Sequence, residues 1–378
     1  MCSNHRLGWL LIGLALANRS YGLESHNNFR YMAQNPLSTA PTFETDDTPW
    51  GLTTYANVPY MPCLSKQKDL AYDIAVLGAP FDTATTGRPG ARFGPGAIRS
   101  GSSRIYADAA WNLYTGENVF KSNVKIIDCG DVPMTRLDNT VALKQLEKGH
   151  DIITSRPPVS KDLSPVARII NLGGDHTTTL AALRASYKRW GKLSVIHFDA
   201  HIDTWNPNVL GGDISDYGAV NHGTFLHIAH EEGLITNSSI HAGIRAPLAH
   251  PVKDMKNDRR CGFDFVTARD LDRVGTSGII ERLKARVGDA NVYISVDIDV
   301  LDPAYAPATG TAEPGGWTSR ELLTILDGLV GLKVVGADVV EVAPAYDGAG
   351  EITGVAAAEV VQSLLYLMVK TAVAVDDR

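Results

Sequence analysis

The sequence has few of the features that mark disulfide-rich proteins. Only 4 of its 378 residues are cysteines. Cys63, Cys129 and Cys261 lie beyond the N-terminal segment, and this odd number shows neither metal-ligand nor redox spacing. The sequence therefore predicts a fold that does not depend on a disulfide framework.

An excess of positive charge is also missing. Lys and Arg total 35 against 42 Asp and Glu, which gives a net charge of −7. Nucleic-acid binding is disfavoured, because phosphate contacts need a basic face. With 44% hydrophobic and 20% charged residues, the composition lacks the bias of disordered, collagenous or coiled-coil chains. These values are typical of a globular enzyme, and the acidic balance suits a small cationic substrate.

Long hydrophobic runs are absent beyond the N-terminus. The apolar run Leu7–Ala17 has eleven residues, which is too short to span a bilayer. His5 and Arg6 precede it, and Ala15-x-Ala17 supplies a small-residue cleavage site. We therefore expect a signal peptide over residues 1–22, and a protein that is secreted or enters the secretory pathway without a membrane anchor.

The rest of the chain divides into two parts. Residues 23–60 are rich in Asn, Ser, Thr and Pro without sustained periodicity, which predicts an extended arm on the surface. Residues 61–378 show no internal repeat or linker and predict one catalytic domain. Within it, Asn237-Ser238-Ser239 is a glycan acceptor sequence if the chain is secreted.

Strand and helix patterns alternate along this domain. Short apolar, β-branched runs predict buried strands over Asp73–Leu77, Val124–Asp128, Ala167–Leu172, Leu193–Phe198, Ser239–Gly243, Val292–Val296 and Val334–Val339. Helical periodicity predicts helices over Thr177–Trp190, Glu321–Leu329 and Ala356–Val373, the second opened by a Thr318-x-x-Glu321 capping box. Such alternation favours a single three-layer α/β/α domain with a mainly parallel sheet.

Histidines and aspartates follow three of the predicted strands. Parallel strands bind ligands at their carboxyl ends, and residues two apart share one side of an extended chain. We therefore expect six side chains to converge: His176, Asp199, His201, Asp203, Asp297 and Asp299.

These six groups predict a dinuclear metal site. Burying four carboxylates without a cation would be prohibitive, and two divalent ions fit if one or two carboxylates bridge. Oxygen-rich ligation with imidazole and no thiolate favours Mn²⁺ over a structural zinc.

The motifs that carry these residues resemble the three signatures of the ureohydrolases, the family of arginase, agmatinase and guanidinobutyrase. The signatures are Gly173-Gly174-Asp175-His176, Asp199-Ala200-His201-Ile202-Asp203 and the stretch Ser295 to Pro303. Four further stretches resemble the agmatinase-like branch of this family: Phe81-Asp82, Arg88 to Pro95, Asn221 to Phe225 and Glu351-Ile352-Thr353. The resemblance runs from about Asp73 to the C-terminal helix. It implies the arginase-like fold, two Mn²⁺ ions per chain and a homo-oligomer, either a trimer or a hexamer. Ala312 departs from the proline usual in the family.

The same resemblance implies a role for each site residue. One manganese would be held by His176, Asp199, Asp203 and Asp297, and the other by Asp199, His201, Asp297 and Asp299. Glu341 matches the glutamate that holds the substrate guanidinium. His222 matches a loop histidine that shuttles protons, and Asp299 is expected to accept the first proton. His197 is expected to be a core or supporting histidine, and no role is assigned to His227, His230, His241 and His250.

The predicted reaction is hydrolysis of a linear guanidino compound to urea and an amine. The loop Asp213 to Asn221 lacks the Ser-Gly-Asn type pattern of arginase, which disfavours arginine. Asp213 and Asp216 would attract the ammonium of agmatine, so agmatine is the expected substrate. The alternative, 4-guanidinobutyrate, would require an Arg or a loop amide for its carboxylate.

Two other functions compete with this one. Deacetylases of similar fold use a single zinc, for which Asp203 and Asp299 would be superfluous. A secreted metal-binding protein without activity is the third, and the complete ligand set with Glu341 and His222 argues against it.

Overall fold

Eight strands form one sheet in the computed structural model, which describes residues 51–67 and 69–375. The strands are β1 (Ile74–Gly78), β2 (Ile126–Asp131), β3 (Arg168–Leu172), β4 (Ser194–Phe198), β5 (Ser239–Ile244), β6 (Phe263–Thr267), β7 (Asn291–Asp297) and β8 (Lys333–Val340). Their order is β2-β1-β3-β8-β7-β4-β5-β6, and every neighbouring pair is parallel. The central strands are buried along their length, as strands covered on both faces should be.

Helices cover both faces of this sheet. They are α1 (Gly94–Gly101), α2 (Asn139–Thr154), α3 (Thr178–Trp190), α4 (Phe225–Glu231), α5 (Pro251–Arg260), α6 (Asp270–Val287), α7 (Ser319–Gly328) and α8 (Ile352–Lys370). Apolar residues of α6, α7 and α8 pack in one core, and those of α3 and α4 pack in another. This arrangement confirms the three-layer α/β/α fold.

The C-terminal helix α8 is the only helix in the described residues that is long and apolar enough to cross a membrane. Most of that helix is buried inside the protein, where Val361, Leu364 and Leu365 belong to the core beside α7. It therefore has the character of the core helix of a globular domain.

The predicted strands and helices are present with small shifts at their ends. The capping box at the start of α7 forms as predicted, since Thr318 Oγ1 accepts from the Glu321 N–H and the Glu321 carboxylate accepts from the Thr318 N–H. Strand β6 and helices α1, α2, α4, α5 and α6 were not among the predicted elements. In α6, Gly275 has a φ of +66°, so the helical pattern is interrupted near its start.

Tyr55, Ala56 and Val58 do not lie on the surface as the predicted arm over residues 23–60 would, while residues 23–50 of that arm lie outside the described residues. Tyr55 and Ala56 are fully buried. The Tyr55 N–H donates to Asp128 Oδ2, and its hydroxyl donates to the Ala358 carbonyl on α8. Tyr55 therefore connects this segment to both β2 and α8. The signal peptide predicted for residues 1–22 lies outside the described residues.

Two of the cysteines are joined. Cys63 and Cys129 form one disulfide that ties the segment before β1 to β2. Cys261 is free and buried, and burial raises the pKa of its thiol to about 12.

Candidate metal centre

The predicted ligands meet at the carboxyl edge of the four central strands. His176 follows β3, the segment Asp199 to Asp203 follows β4, and Asp297 ends β7. Glu341 follows β8 directly. Since β3, β8, β7 and β4 are consecutive neighbours in the sheet, their carboxyl ends bring these side chains to one place.

The first group of donor atoms surrounds His176. Its Nδ1 lies 3.1 Å from Asp199 Oδ2, 3.1 Å from Asp203 Oδ2 and 3.3 Å from Asp297 Oδ2. All four side chains are buried. Asp203 has a φ of +50°, so the chain turns sharply where its carboxylate joins the group.

The second group surrounds His201. Its Nδ1 lies 3.2 Å from Asp199 Oδ1 and 3.0 Å from Asp299 Oδ2. Asp199 therefore presents one carboxylate oxygen to each group, which is the geometry of a bridging ligand. Asp299 is fixed by accepting at Oδ1 from the Ala200 N–H at 3.0 Å.

These residues fit a pair of divalent cations. His176 Nδ1 and Asp199 Oδ2 are buried without a hydrogen-bond partner, although buried polar atoms normally have one. Burial, followed by the charges of Asp299 and Asp199, raises the pKa of Asp297 well above its ordinary value. Burial, followed by the charge of Asp199, raises the pKa of Asp299 to about 6. The aspartates therefore need added positive charge to be ionised together.

A neighbouring carboxylate fixes the tautomer of His176. Nε2 of His176 lies 2.8 Å from Ser295 Oγ. The Ser295 hydroxyl in turn donates to the carboxylate of Asp338, at Oδ1, over 2.6 Å. Because the Ser295 proton is used on Asp338, Nε2 of His176 must be the donor. Its Nδ1 then carries a lone pair directed at the aspartates, as a metal ligand requires.

Glu341 lies beside this centre with one oxygen free. Its Oε1 accepts from the His176 N–H at 2.9 Å and lies 3.0 Å from Nδ1 of His222. Its Oε2 is buried and has no hydrogen-bond partner. A buried carboxylate oxygen in this state matches a cationic donor such as a guanidinium.

His222 is held between Glu341 and Thr86. Burial opposes a charge on the ring, but the hydrogen bond and charge of Glu341 outweigh it and raise the pKa of His222 to about 9. The Thr86 N–H favours the neutral ring instead. It lies 3.0 Å from Nε2 of His222 and can only donate, so Nε2 must accept and cannot carry a proton. We assign the neutral ring with its proton on Nδ1, because a bound cation would neutralise Glu341 and lower this pKa.

A cavity of about 210 Å³ opens onto the metal centre. Its floor includes His201, Asp203, His222 and Asp297, and its wall includes Trp205, Val209, Leu210 and Pro247. Asp213 and Asp216, which were expected to bind the substrate tail, are exposed and do not line the cavity. This expectation needs correcting, because the loop that carries them places apolar side chains at the cavity instead.

Several supporting residues were missed from the sequence. His241 contacts His197, and Arg245 joins two of the ligand loops, donating from its N–H to the Ala200 carbonyl and from its guanidinium to the carbonyls of Asp299 and Leu301. No sequence signal links His197 to His241, because they are 44 residues apart and meet only through strand pairing.

Comparisons with known proteins identify the family of this chain. The Arginase family model matches residues 72–366. A Schizosaccharomyces pombe protein provisionally named agmatinase 1 is 51% identical over 332 residues, covering 85% of this chain and 84% of that protein. The agmatinase of Enterobacter sp. strain 638 is 37% identical, covering 81% of this chain and 91% of its own.

A solved structure shows the same fold. The structure of proclavaminate amidino hydrolase from Streptomyces clavuligerus superimposes with a TM-score of 0.74 at 36% identity, covering 84% of this chain and 97% of that one. The family match extends over most of the chain and includes every residue of the metal centre. The chain belongs to the Arginase family.

Proposed function

We propose that this protein hydrolyses agmatine to urea and putrescine with two manganese ions per chain. The observation that carries the proposal is Glu341 Oε2, which is buried and unpartnered beside the paired carboxylate groups. The relatives named as agmatinases support the same activity.

Residues of the chain bind the metal ions, hold the substrate and transfer the protons. Two divalent cations, when bound, lower the pKa of a water enough for it to attack a guanidinium carbon near neutral pH. Glu341 Oε2 holds the guanidinium and fixes which face of its carbon is attacked. Attack forms a C–O bond, and collapse breaks one C–N bond, so the departing amine must gain a proton. Asp299 accepts the proton of the attacking oxygen and gives it to the departing amine, and His222 exchanges the remaining proton with solvent.

The cavity wall favours agmatine over 4-guanidinobutyrate. Among the described residues that line the cavity, none is Lys or Arg, so a substrate carboxylate would find no cationic partner there. Trp205, Val209 and Leu210 offer apolar surface to the methylene chain. We place the ammonium at the open end of the cavity, where water solvates it.

Manganese follows from the donor set. Four carboxylates and two imidazoles without a thiolate suit Mn²⁺ better than zinc at a structural site. Elemental analysis of the purified protein should find about two manganese per chain. One zinc per chain would support the deacetylase-like alternative, and no metal would support a protein without this chemistry.

We further propose that the chain enters the secretory pathway and forms a homo-oligomer. The pattern of residues 1–22 supports the first part, and so does the Cys63–Cys129 disulfide, since such bonds persist in oxidising compartments. Asn237 is exposed, so its acceptor sequence is accessible to a glycan there. N-terminal sequencing of the natural protein tests the location, and an intact Met1 chain in the cytosol would contradict it. The mass of the purified protein, measured by sedimentation, tests whether the chain forms a homo-oligomer.

Urea release from a substrate panel tests the activity. The panel contains agmatine, 4-guanidinobutyrate, 3-guanidinopropionate and arginine, assayed with manganese-loaded protein. We expect agmatine to have the highest kcat/KM, guanidinobutyrate to come second and arginine to be negligible. A wide margin in favour of guanidinobutyrate would overturn the assignment of agmatine but not that of an amidinohydrolase.

A further inference from the structure

A row of polar side chains crosses the sheet one step below the metal ligands. Strand pairing places Asp338 opposite Ser295, Ser295 opposite His197, and His197 opposite His241. All four residues are buried. His197 and Ser295 each precede a ligand, Asp199 and Asp297, by two residues, so row and ligands lie on the same face of the sheet.

One part of this row forms a chain that leads away from Asp199. His197 Nε2 lies 3.0 Å from Asp199 Oδ2, a charge contact that does not have the geometry of a hydrogen bond. The Nδ1 atoms of His197 and His241 are 2.8 Å apart, and His241 Nε2 lies 2.9 Å from Asp258 Oδ1. Asp258 belongs to α5, so the chain connects this outer helix to the carboxylate shared by both groups of donors.

Asp258 also reaches the other end of the same ligand loop. The Thr204 hydroxyl donates to Asp258 Oδ1 at 2.6 Å. Thr204 directly follows Asp203, whose φ of +50° is a conformation that a non-glycine residue adopts only when its surroundings impose it. The Asp258 side chain is fully buried, and its contacts to His241 and Thr204 therefore hold both Asp199 and Asp203 from one point.

We infer that Asp258 is a positioning residue that sets the affinity for manganese, acting on Asp199 through His241 and His197 and on Asp203 through Thr204. A ligand is effective only when its own hydrogen bonds orient it, and removing such an outer partner typically costs 10–100-fold in metal affinity or activity. Asp258 touches neither ligand itself. The inference depends on the metal centre but not on the identity of the substrate.

Asp258→Asn provides the test, because it keeps the shape of the side chain and removes its charge. The protein is stripped with a chelator and titrated with Mn²⁺ alone, following free manganese by electron paramagnetic resonance. We expect at least one of the two sites to bind manganese about tenfold more weakly than in the wild type. With excess manganese, kcat should recover most of its wild-type value while KM stays unchanged.

Asp254→Asn is the matched control. Asp254 lies one turn earlier on α5, is also buried, and accepts from the His250 N–H at 2.7 Å, but it is not part of the chain. We expect the Asp254→Asn protein to bind manganese with an affinity within about twofold of the wild type. Thermal unfolding of the metal-free proteins checks that both variants fold.

Thr204→Val is the second variant, for use if Asp258→Asn does not fold. Thr204→Val removes one of the donors to Asp258 and leaves the Asp258 charge in place. It should therefore weaken manganese binding as Asp258→Asn does, but by a smaller factor. The inference is overturned if folded Asp258→Asn or folded Thr204→Val binds both ions as tightly as the wild type, or if Asp254→Asn weakens binding equally. A wild-type chain that binds no manganese overturns the metal centre itself. Absence of agmatine hydrolysis with normal manganese binding overturns only the proposed function.

Discussion

Glu341 and His222 share a hydrogen bond inside the site, with Oε1 of the first 3.0 Å from Nδ1 of the second. The same oxygen accepts from the His176 N–H, which leaves Oε2 as the free atom of the carboxylate. Glu341 is therefore oriented by the protein through one oxygen and is available to a substrate through the other. This division of contacts makes its role separable from that of the metal ligands.

Glu341→Gln should lower kcat/KM for agmatine by about 100-fold, which corresponds to about 2.7 kcal/mol, because a charged hydrogen bond to the guanidinium becomes neutral. Steady-state urea release measures the change. Manganese content should stay at the wild-type level, and Glu281→Gln on the exposed surface of α6 should change neither quantity. Full activity of Glu341→Gln would contradict the proposed guanidinium contact.

Asp199→Asn and Asp297→Asn should each abolish activity and lower manganese content, since each variant removes a negative charge that both ions are expected to share. Elemental analysis after dialysis measures the content. Asp216→Asn removes an exposed aspartate outside the cavity and serves as the control, with activity and metal unchanged. The dinuclear model does not survive if either core variant keeps full activity with excess manganese.

His222→Ala should lower kcat by about 100-fold while leaving manganese content intact, because a group that moves a proton is not a ligand. The variant is compared with the wild type in metal content and in turnover at saturating agmatine. Loss of metal from this variant would show that its assigned role is mistaken.

Trp205→Ala should raise KM for agmatine by about tenfold, or about 1.4 kcal/mol, if its ring covers the methylene chain of the substrate. Asp213→Asn should leave KM unchanged, since Asp213 is exposed and does not line the cavity. The initial-rate comparison is made at low and high salt. A salt-sensitive rise in KM for Asp213→Asn would restore the original assignment of that residue.

The burial of His150 leads us to expect that the folded protein loses stability in acid. Burial lowers the pKa of this α2 histidine from its ordinary 6.5 to about 4. The unfolded chain therefore binds a proton below about pH 6.5 that the folded chain refuses until about pH 4, so folding stability is present above this window and falls as pH drops through it. From pH 7 to pH 5 the loss is about 2 kcal/mol.

Urea unfolding of the metal-free protein at the two pH values measures this effect. His150→Gln lacks the titrating group, so it should lose about 2 kcal/mol less than the wild type over the same interval. Equal losses in both proteins would assign the acid sensitivity to other groups.

The site was more predictable than its surroundings, and the reason is local geometry. His176, Asp199 and Asp297 were found because each follows an apolar strand, and the carboxyl ends of neighbouring parallel strands must lie together. Asp213 and Asp216 were misplaced because charge alone does not tell which side of a loop faces a cavity.

Contacts that depend on strand pairing could not be predicted from the sequence. His241 and Asp258 are 17 residues apart, and both are far along the chain from His197, so their meeting follows from the alignment of β4 with β5 and the packing of α5. Helix α6 was missed because Gly275 interrupts its periodicity, and β6 because it is a short edge strand with Asp264 exposed.

The order of strands in the sheet determines when the metal centre can exist. Strand β8 is the last to be synthesised, yet it lies between β3 and β7 in the middle of the sheet. His176 follows β3 on one side of it, whereas Asp199 and Asp297 come from β4 and β7 on the other. A chain still lacking residues 333–340 has no strand to join its two half-sheets, so the side chains that follow β3 can meet those that follow β4 and β7 only after β8 is in place.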